Sequence, residues 1–147
     1  MPIVNGEYIY NGITVYFRHL DRLGKNHLLN LFNWAGSARE AYLVETVQNY
    51  KELIKKPMLW VTTKISQEVL GEAEFGDVIE IRMVSNRIRR HSFDFVLDTY
   101  NVSRGCLIAK GRQTIAFVDA NNGTTVEIPE EVMEVIKRIE KNLEKSE

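Results

Sequence analysis

Apolar side chains recur at Leu28, Leu31, Phe32, Ala35, Ala38 and Tyr42, the spacing of one helical face, and no strong helix breaker other than Gly36 stands between Gly24 and Pro57. The pattern predicts a long helix starting near Asn26 to Leu28 and running to about Asn49. Leu29, Trp34, Ala41 and Leu43 widen its apolar part well beyond an ordinary amphipathic helix, leaving Asn30, Asn33, Ser37 and Glu40 as a narrow polar stripe. Such a helix must be wrapped by other structure. Before it, Tyr8 to Arg18 alternates apolar and polar positions around a bend at Asn11-Gly12, which reads as a strand or short hairpin. After Pro57 the period is two: Met58 to Ile65, Val78 to Arg87, Ser92 to Tyr100 and Leu107 to Asp119 are strands, with a tight basic turn at Ile88 to His91. Asn121-Asn122-Gly123 predicts a hairpin returning through Thr125 to Ile128. Pro129 then opens a surface helix with Glu130 and Glu131 in its first turn and an apolar stripe of Val132, Val135, Ile136, Ile139 and Leu143 above a lysine-rich end.

One strand, a long buried helix, then four or five mostly antiparallel strands describe an α+β fold in which an antiparallel sheet curls around a central helix. The chain of 147 residues, 44% of them apolar, suits one domain over 1–147. A sheet wrapped on one helix leaves an edge strand, and pairing edges across a two-fold axis removes that liability, so a homodimer is expected, with a homotetramer left open.

Charge and cysteine usage narrow the function classes. The formal net charge is −1 and is spread along the chain, against the concentrated basic footprint that nucleic-acid binding needs. No run approaches the roughly 20 apolar residues that span a bilayer, and MPIVNGEYIY lacks the basic and apolar regions of a signal peptide. The lone Cys106 cannot form an internal disulfide, in keeping with a cytoplasmic setting. Neither His19 nor His27 has a metal-site partner at ligand spacing, so no metal is expected.

Asp21 precedes the long helix by one loop, and the first N–H groups of that helix, near His27 and Leu28, lack intrahelical partners and sit at the positive end of its dipole. A carboxylate beside such donors is equipped for acyl chemistry, and is equally a residue that caps a turn. Asn26 and Asn30 could hold a water or a carbonyl, and His19 and His27 are acid or base candidates. Arg39 lies eleven residues past Leu28, roughly 16 Å along the helix axis, and either serves the site or pairs with a sheet carboxylate such as Glu80 or Asp94. Arg87, Arg89, Arg90 and His91 form the one dense basic cluster, suited to a phosphate or simply solvated.

Asp21, Gly24 and Arg39 keep the spacing of the hotdog-fold thioesterases of the 4-hydroxybenzoyl-CoA thioesterase type, which the chain resembles. Its motifs are most like those of the enediyne polyketide thioesterases, through Trp34, Gly36, Arg39 and Glu40, with further matches at Val61-Thr62-Thr63 and Lys110 to Ala116. The resemblance covers about residues 8 to 135. It implies a hotdog fold and hydrolysis of an acyl-CoA or acyl-carrier-protein thioester without a cofactor. It further implies Asp21 as nucleophile or general base, the Leu28 backbone N–H as oxyanion donor, and a catalytic or positioning role for Arg39. Gly24, Asn26, His27, Asn30, Arg89 and Arg90 complete the expected substrate-binding set. Two departures stand out: Lys25-Asn26-His27 replaces a more apolar loop, and the enediyne enzymes typically carry an amide at the position of Asp21. A non-catalytic acyl-thioester-binding dimer and a hotdog dehydratase or hydratase are the rival readings.

Overall fold

Alternation in the second half of the chain produces one six-stranded antiparallel sheet, and the apolar helix lies across its inner face. A computed structural model describes residues 3–143. The first two residues and the lysine-rich end past Leu143 lie outside the described residues. In chain order the elements are β1 (Ile3–Val4), β2 (Glu7–Thr14), α1 (Leu28–Thr46), α2 (Tyr50–Leu53), β3 (Met58–Val69), β4 (Val78–Asn86), β5 (Ser92–Asn101), β6 (Cys106–Asp119) and α3 (Glu130–Lys137). The strand order is β1-β2-β4-β5-β6-β3, so β4 to β6 form the expected meander, while β2 and β3 flank it. This is the hotdog arrangement of a sheet around a central helix.

The core lies between α1 and the sheet. Leu31, Ala35, Ala38 and Tyr42 face Ile79, Ile81, Met83, Phe93, Phe95 and Leu97, all of them buried. Each large apolar side chain taken out of water here contributes about 1.5–3 kcal/mol. The small Ala35 and Ala38 let the helix backbone approach the sheet closely. Tyr42 spans to the C-terminal helix, donating from its hydroxyl to the Val135 carbonyl at 2.6 Å.

Several boundaries differ from the sequence reading, each for a tertiary reason. The first long strand ends at Thr14 instead of reaching Arg18. Val15 bonds to the Gly76-Asp77 loop, and Phe17–His19 form a 3-10 turn. Helix α1 stops at Thr46 instead of Asn49, because the Thr46 hydroxyl bonds back to the Tyr42 carbonyl and Val47 turns extended to enter the core. Strand β3 runs on to Val69, since β6 pairs with it from Met58 to Val69 despite the polar Ser66, Gln67 and Glu68. A register shift between Thr62 and Lys64 keeps the inner face inward past that point. The return after Asn121-Asn122-Gly123 is only a bridge between Val118 and Thr125. Helix α3 ends at Lys137, and the chain then runs beside Ser85, whose N–H donates to the Ile139 carbonyl and whose carbonyl accepts from Lys141 N–H. Leu143 is therefore not part of that helix.

Candidate active site

The chain folds back on itself just before α1. Leu20 bridges to Asn26, Asp21 N–H donates to the Lys25 carbonyl at 2.8 Å, and Gly24 adopts φ +77°, which favours glycine. Inside that loop Asp21 Oδ1 accepts from the N–H groups of Leu23 at 2.8 Å and Lys25 at 3.1 Å. The backbone donors of Lys25 and Leu23 hold the carboxyl below the usual carboxylate range, so Asp21 is ionised at neutral pH. Oδ2 accepts no hydrogen bond among the described residues and remains available to a ligand or water. Asp21 is thus a turn cap through one oxygen and has its second oxygen to spare.

Helix α1 begins at Leu28 because His27, in extended conformation, caps it with Nδ1 accepting from Leu29 N–H at 3.1 Å. The Leu28 N–H itself makes no hydrogen bond among the described residues. Asn30 holds the loop to the helix, donating to the His19 carbonyl at 2.6 Å and to Asn26 Oδ1 at 2.8 Å. Lys25 ties the loop to the segment before β4 through Glu74 and through Glu72 at 3.2 Å. Those contacts raise the Lys25 pKa, the Glu74 bond first among them. The unusual Lys25-Asn26-His27 stretch is accounted for residue by residue as loop anchor, clamp and cap. Asp21, Lys25 and Leu28 line a pocket of about 240 Å³ closed by Leu31, Val69 and Ile108.

His19 faces a different task. Its Nδ1 accepts from Tyr16 N–H at 2.9 Å, which puts the ring proton of the neutral imidazole on Nε2, and its ring meets Trp34 edge-on. Burial first, and Arg18 second, lower its pKa. Neither ring nitrogen is free to take a proton from a substrate, which weighs against the dehydratase reading.

Arg39 is placed in a second pocket of about 350 Å³, lined chiefly by apolar side chains including Leu43, Ile54, Trp60 and Ile115. Its Nη1 donates to Gln113 Oε1 at 2.9 Å and to Thr62 Oγ1 at 3.1 Å. It pairs with neither Glu80 nor Asp94. Glu80 holds Arg82, and Asp94 accepts from Arg89, Arg112 and Thr114. Burial pushes the Asp94 carboxyl up, but those donors outweigh it and hold it below the usual range. The basic turn is likewise committed: Arg89 meets Asp94 at 2.9 Å and Arg90 meets Glu127 at 2.6 Å.

The fold therefore gathers Asp21, Gly24, Asn26, His27, Leu28 and Asn30 around the start of α1 and places Arg39 in the second pocket, further along the same helix. It leaves Arg89 and Arg90 on the far hairpin. Sequence reading passed over Thr62 and Gln113 as partners of Arg39. Both stood in matched segments, but no local spacing links residues this far apart. Among the described residues no group of His, Cys, Asp or Glu could hold a metal, and no helix is long and apolar enough to cross a membrane.

The chain belongs to the thioesterase-like superfamily, whose profile matches residues 15–136. Its structure is similar to that of the dynemicin thioesterase, studied for polyene binding, with a TM-score of 0.85 and 25% identity over 92% of this chain and 98% of that one. A 1,4-dihydroxy-2-naphthoyl-CoA thioesterase from Synechocystis shares the fold at a TM-score of 0.82 and 14% identity, covering 89% of this chain and 96% of that one. A gentisyl-coenzyme A thioesterase does so at 0.74 and 21%, covering 87% and 98%. No curated protein matches the sequence.

Proposed function

We propose that this protein hydrolyses an acyl thioester carried on CoA or on the phosphopantetheine of an acyl carrier protein. The observation that carries the reading is the pairing, in one pocket, of an ionised Asp21 with a spare oxygen and an N–H at the start of α1 that has no partner among the described residues. The Leu28 N–H would donate to the thioester carbonyl oxygen as negative charge develops there, assisted by the helix dipole. Asp21 Oδ2 would take a proton from water as the water oxygen adds to the carbonyl carbon, or would itself attack that carbon. In the first case collapse of the tetrahedral intermediate breaks the C–S bond and the departing thiolate takes the proton from Asp21; in the second it leaves the acyl group on Asp21 as an anhydride, which water hydrolyses to the free acid and the aspartate, the thiolate taking up a proton from that water. The reaction so written uses no cofactor.

Arg39, fixed by Thr62 and Gln113, keeps guanidinium N–H groups for a polar part of the acyl group or for the partner subunit. Arg89 and Arg90 are the candidate phosphate contacts, each exchanging a carboxylate for the phosphate. The dimer would form along β3, a twelve-residue strand paired on one side only, with Leu59, Ile65 and Val69 half exposed. A thiol-release assay over acyl-CoA chain lengths and an acylated carrier protein tests the activity. Absence of turnover with every thioester would leave the non-catalytic binding reading in its place.

A further inference from the structure

The connection between β3 and β4, residues 70–77, holds the Asp21 loop at two points. Asn26 N–H donates to the Ala73 carbonyl at 2.8 Å, and Lys25 Nζ meets Glu74 and, at 3.2 Å, Glu72. Gly71 and Glu72 also line the pocket that contains Asp21 and Leu28. Where this connection sits therefore bears on where the Asp21 carboxylate stands. At its β3 end, Gly71 N–H donates to the Ile108 carbonyl at 3.1 Å, and a Cβ on Gly71 would come within 3.1 Å of the Ile108 side chain.

The β4 end is held by charge. Asp77 is buried, and its Oδ2 accepts from Glu74 N–H, Asn101 Nδ2 and Arg104 Nε, each at 2.9 Å. Burial pushes the carboxyl up, but those donors outweigh it and hold it below the usual carboxylate range, so Asp77 is ionised at neutral pH. Asn101, fully buried at the end of β5, also donates to the Glu72 carbonyl at 3.2 Å, and Arg104 Nη2 pairs with Glu74 at 2.8 Å. Glu74 in turn binds Lys25, so a continuous series of contacts runs from the β5–β6 turn to the loop of Asp21. A buried ion pair adds little net stability over apolar packing, which leaves the position it fixes as its contribution.

We propose that Asp77, Asn101 and Arg104 are positioning residues of the active site: they brace the β3–β4 connection, which through Lys25 and Asn26 sets the Asp21 carboxylate against the Leu28 N–H. The inference rests on the thioesterase reading for the roles of Asp21 and Leu28. None of the three bracing residues touches the substrate.

Asp77→Asn keeps the size of the side chain and one acceptor oxygen while removing the charge that gathers Asn101 and Arg104. With an acyl-CoA that the wild type hydrolyses, kcat should fall about tenfold at a KM within about twofold of the original, the scale of one charge-assisted hydrogen bond. Arg104→Met, at an exposed position, should lower kcat about threefold and carries the test if Asp77→Asn does not fold. Either substitution should leave kcat unchanged when made in Asp21→Asn, because the carboxylate being positioned is then gone. An unaltered kcat in the single variants overturns the proposal, as does the same loss in both backgrounds. Amide exchange followed by NMR gives a reading without turnover. The Asn26 N–H should exchange several-fold faster in Arg104→Met, while that of Phe95, in the middle of the sheet, keeps its rate. No change at Asn26, or an equal change at Phe95, overturns the bracing. If the wild type hydrolyses no thioester, the thioesterase reading fails by itself, and the exchange rates alone judge whether these residues hold the loop.

Discussion

Arg39 and Gln113 meet across the groove between helix and sheet, Nη1 donating to Oε1 at 2.9 Å, with Gln113 only 4% exposed. A guanidinium held by neutral acceptors keeps its full charge for something else. The nearest carboxylate, Glu40, lies 3.8 Å away and is its chain neighbour.

Arg39→Lys keeps the charge and loses the fork that reaches Thr62 and Gln113 together. A charged hydrogen bond is worth about 1.5–3 kcal/mol, so kcat/KM should fall about tenfold or more. Gln113→Leu should reproduce part of that loss by releasing the guanidinium. Steady-state kinetics with both variants check this, and wild-type kinetics in Arg39→Lys would mean that Arg39 is structural only.

Asp21→Asn retains the turn cap, since asparagine and aspartate cap about equally well, and the melting temperature should hardly move. Thiol release should nevertheless drop at least about a hundredfold, the scale of general-base catalysis. Retention of more than about a tenth of the activity would assign water activation to other groups. The pH profile carries the same assignment. Because the Lys25 and Leu23 amides depress the Asp21 pKa, the active carboxylate persists below the ordinary aspartate value of about 3.9, and acid loss of kcat/KM should begin only there. A limb centred near neutrality would point to a different base.

Asp98 offers a test of stability away from the site. Burial raises its pKa while Lys110 opposes, and it makes no hydrogen bond or ion pair among the described residues. A carboxyl whose folded pKa lies above its unfolded value stabilises the fold below the unfolded pKa, and that contribution is lost as pH rises through the folded one. At pH 7 the charged form therefore works against the fold. Asp98→Asn should raise the melting temperature at pH 7 and lose that advantage near pH 3. An equal shift at both values would show that titration of Asp98 is not the cause.

The 17.0 kDa chain should sediment as a dimer at micromolar concentration, because β3 presents a long unpaired edge with apolar side chains. A stable, folded monomer would refute the edge pairing and with it a site completed by the partner subunit.

The sequence by itself determined what depends on near neighbours. The 3.6-residue period placed α1 and its buried face, the two-residue period placed the four long strands, and the Asp21 to Gly24 turn chemistry placed a carboxylate beside the helix start. Those signals are local, because backbone geometry couples residues a few positions apart. Tertiary structure decided the rest. The polar run Ser66 to Glu68 is a strand only because β6 lies beside it, and α3 ends early because its continuation bonds to Ser85. Arg89 and Arg112 converge on Asp94, and Arg39 finds Gln113 instead of a carboxylate, because sheet register fixes which side chains share a face. Register is set by the packing of the whole sheet on α1, a sum over distant residues that no window of sequence contains.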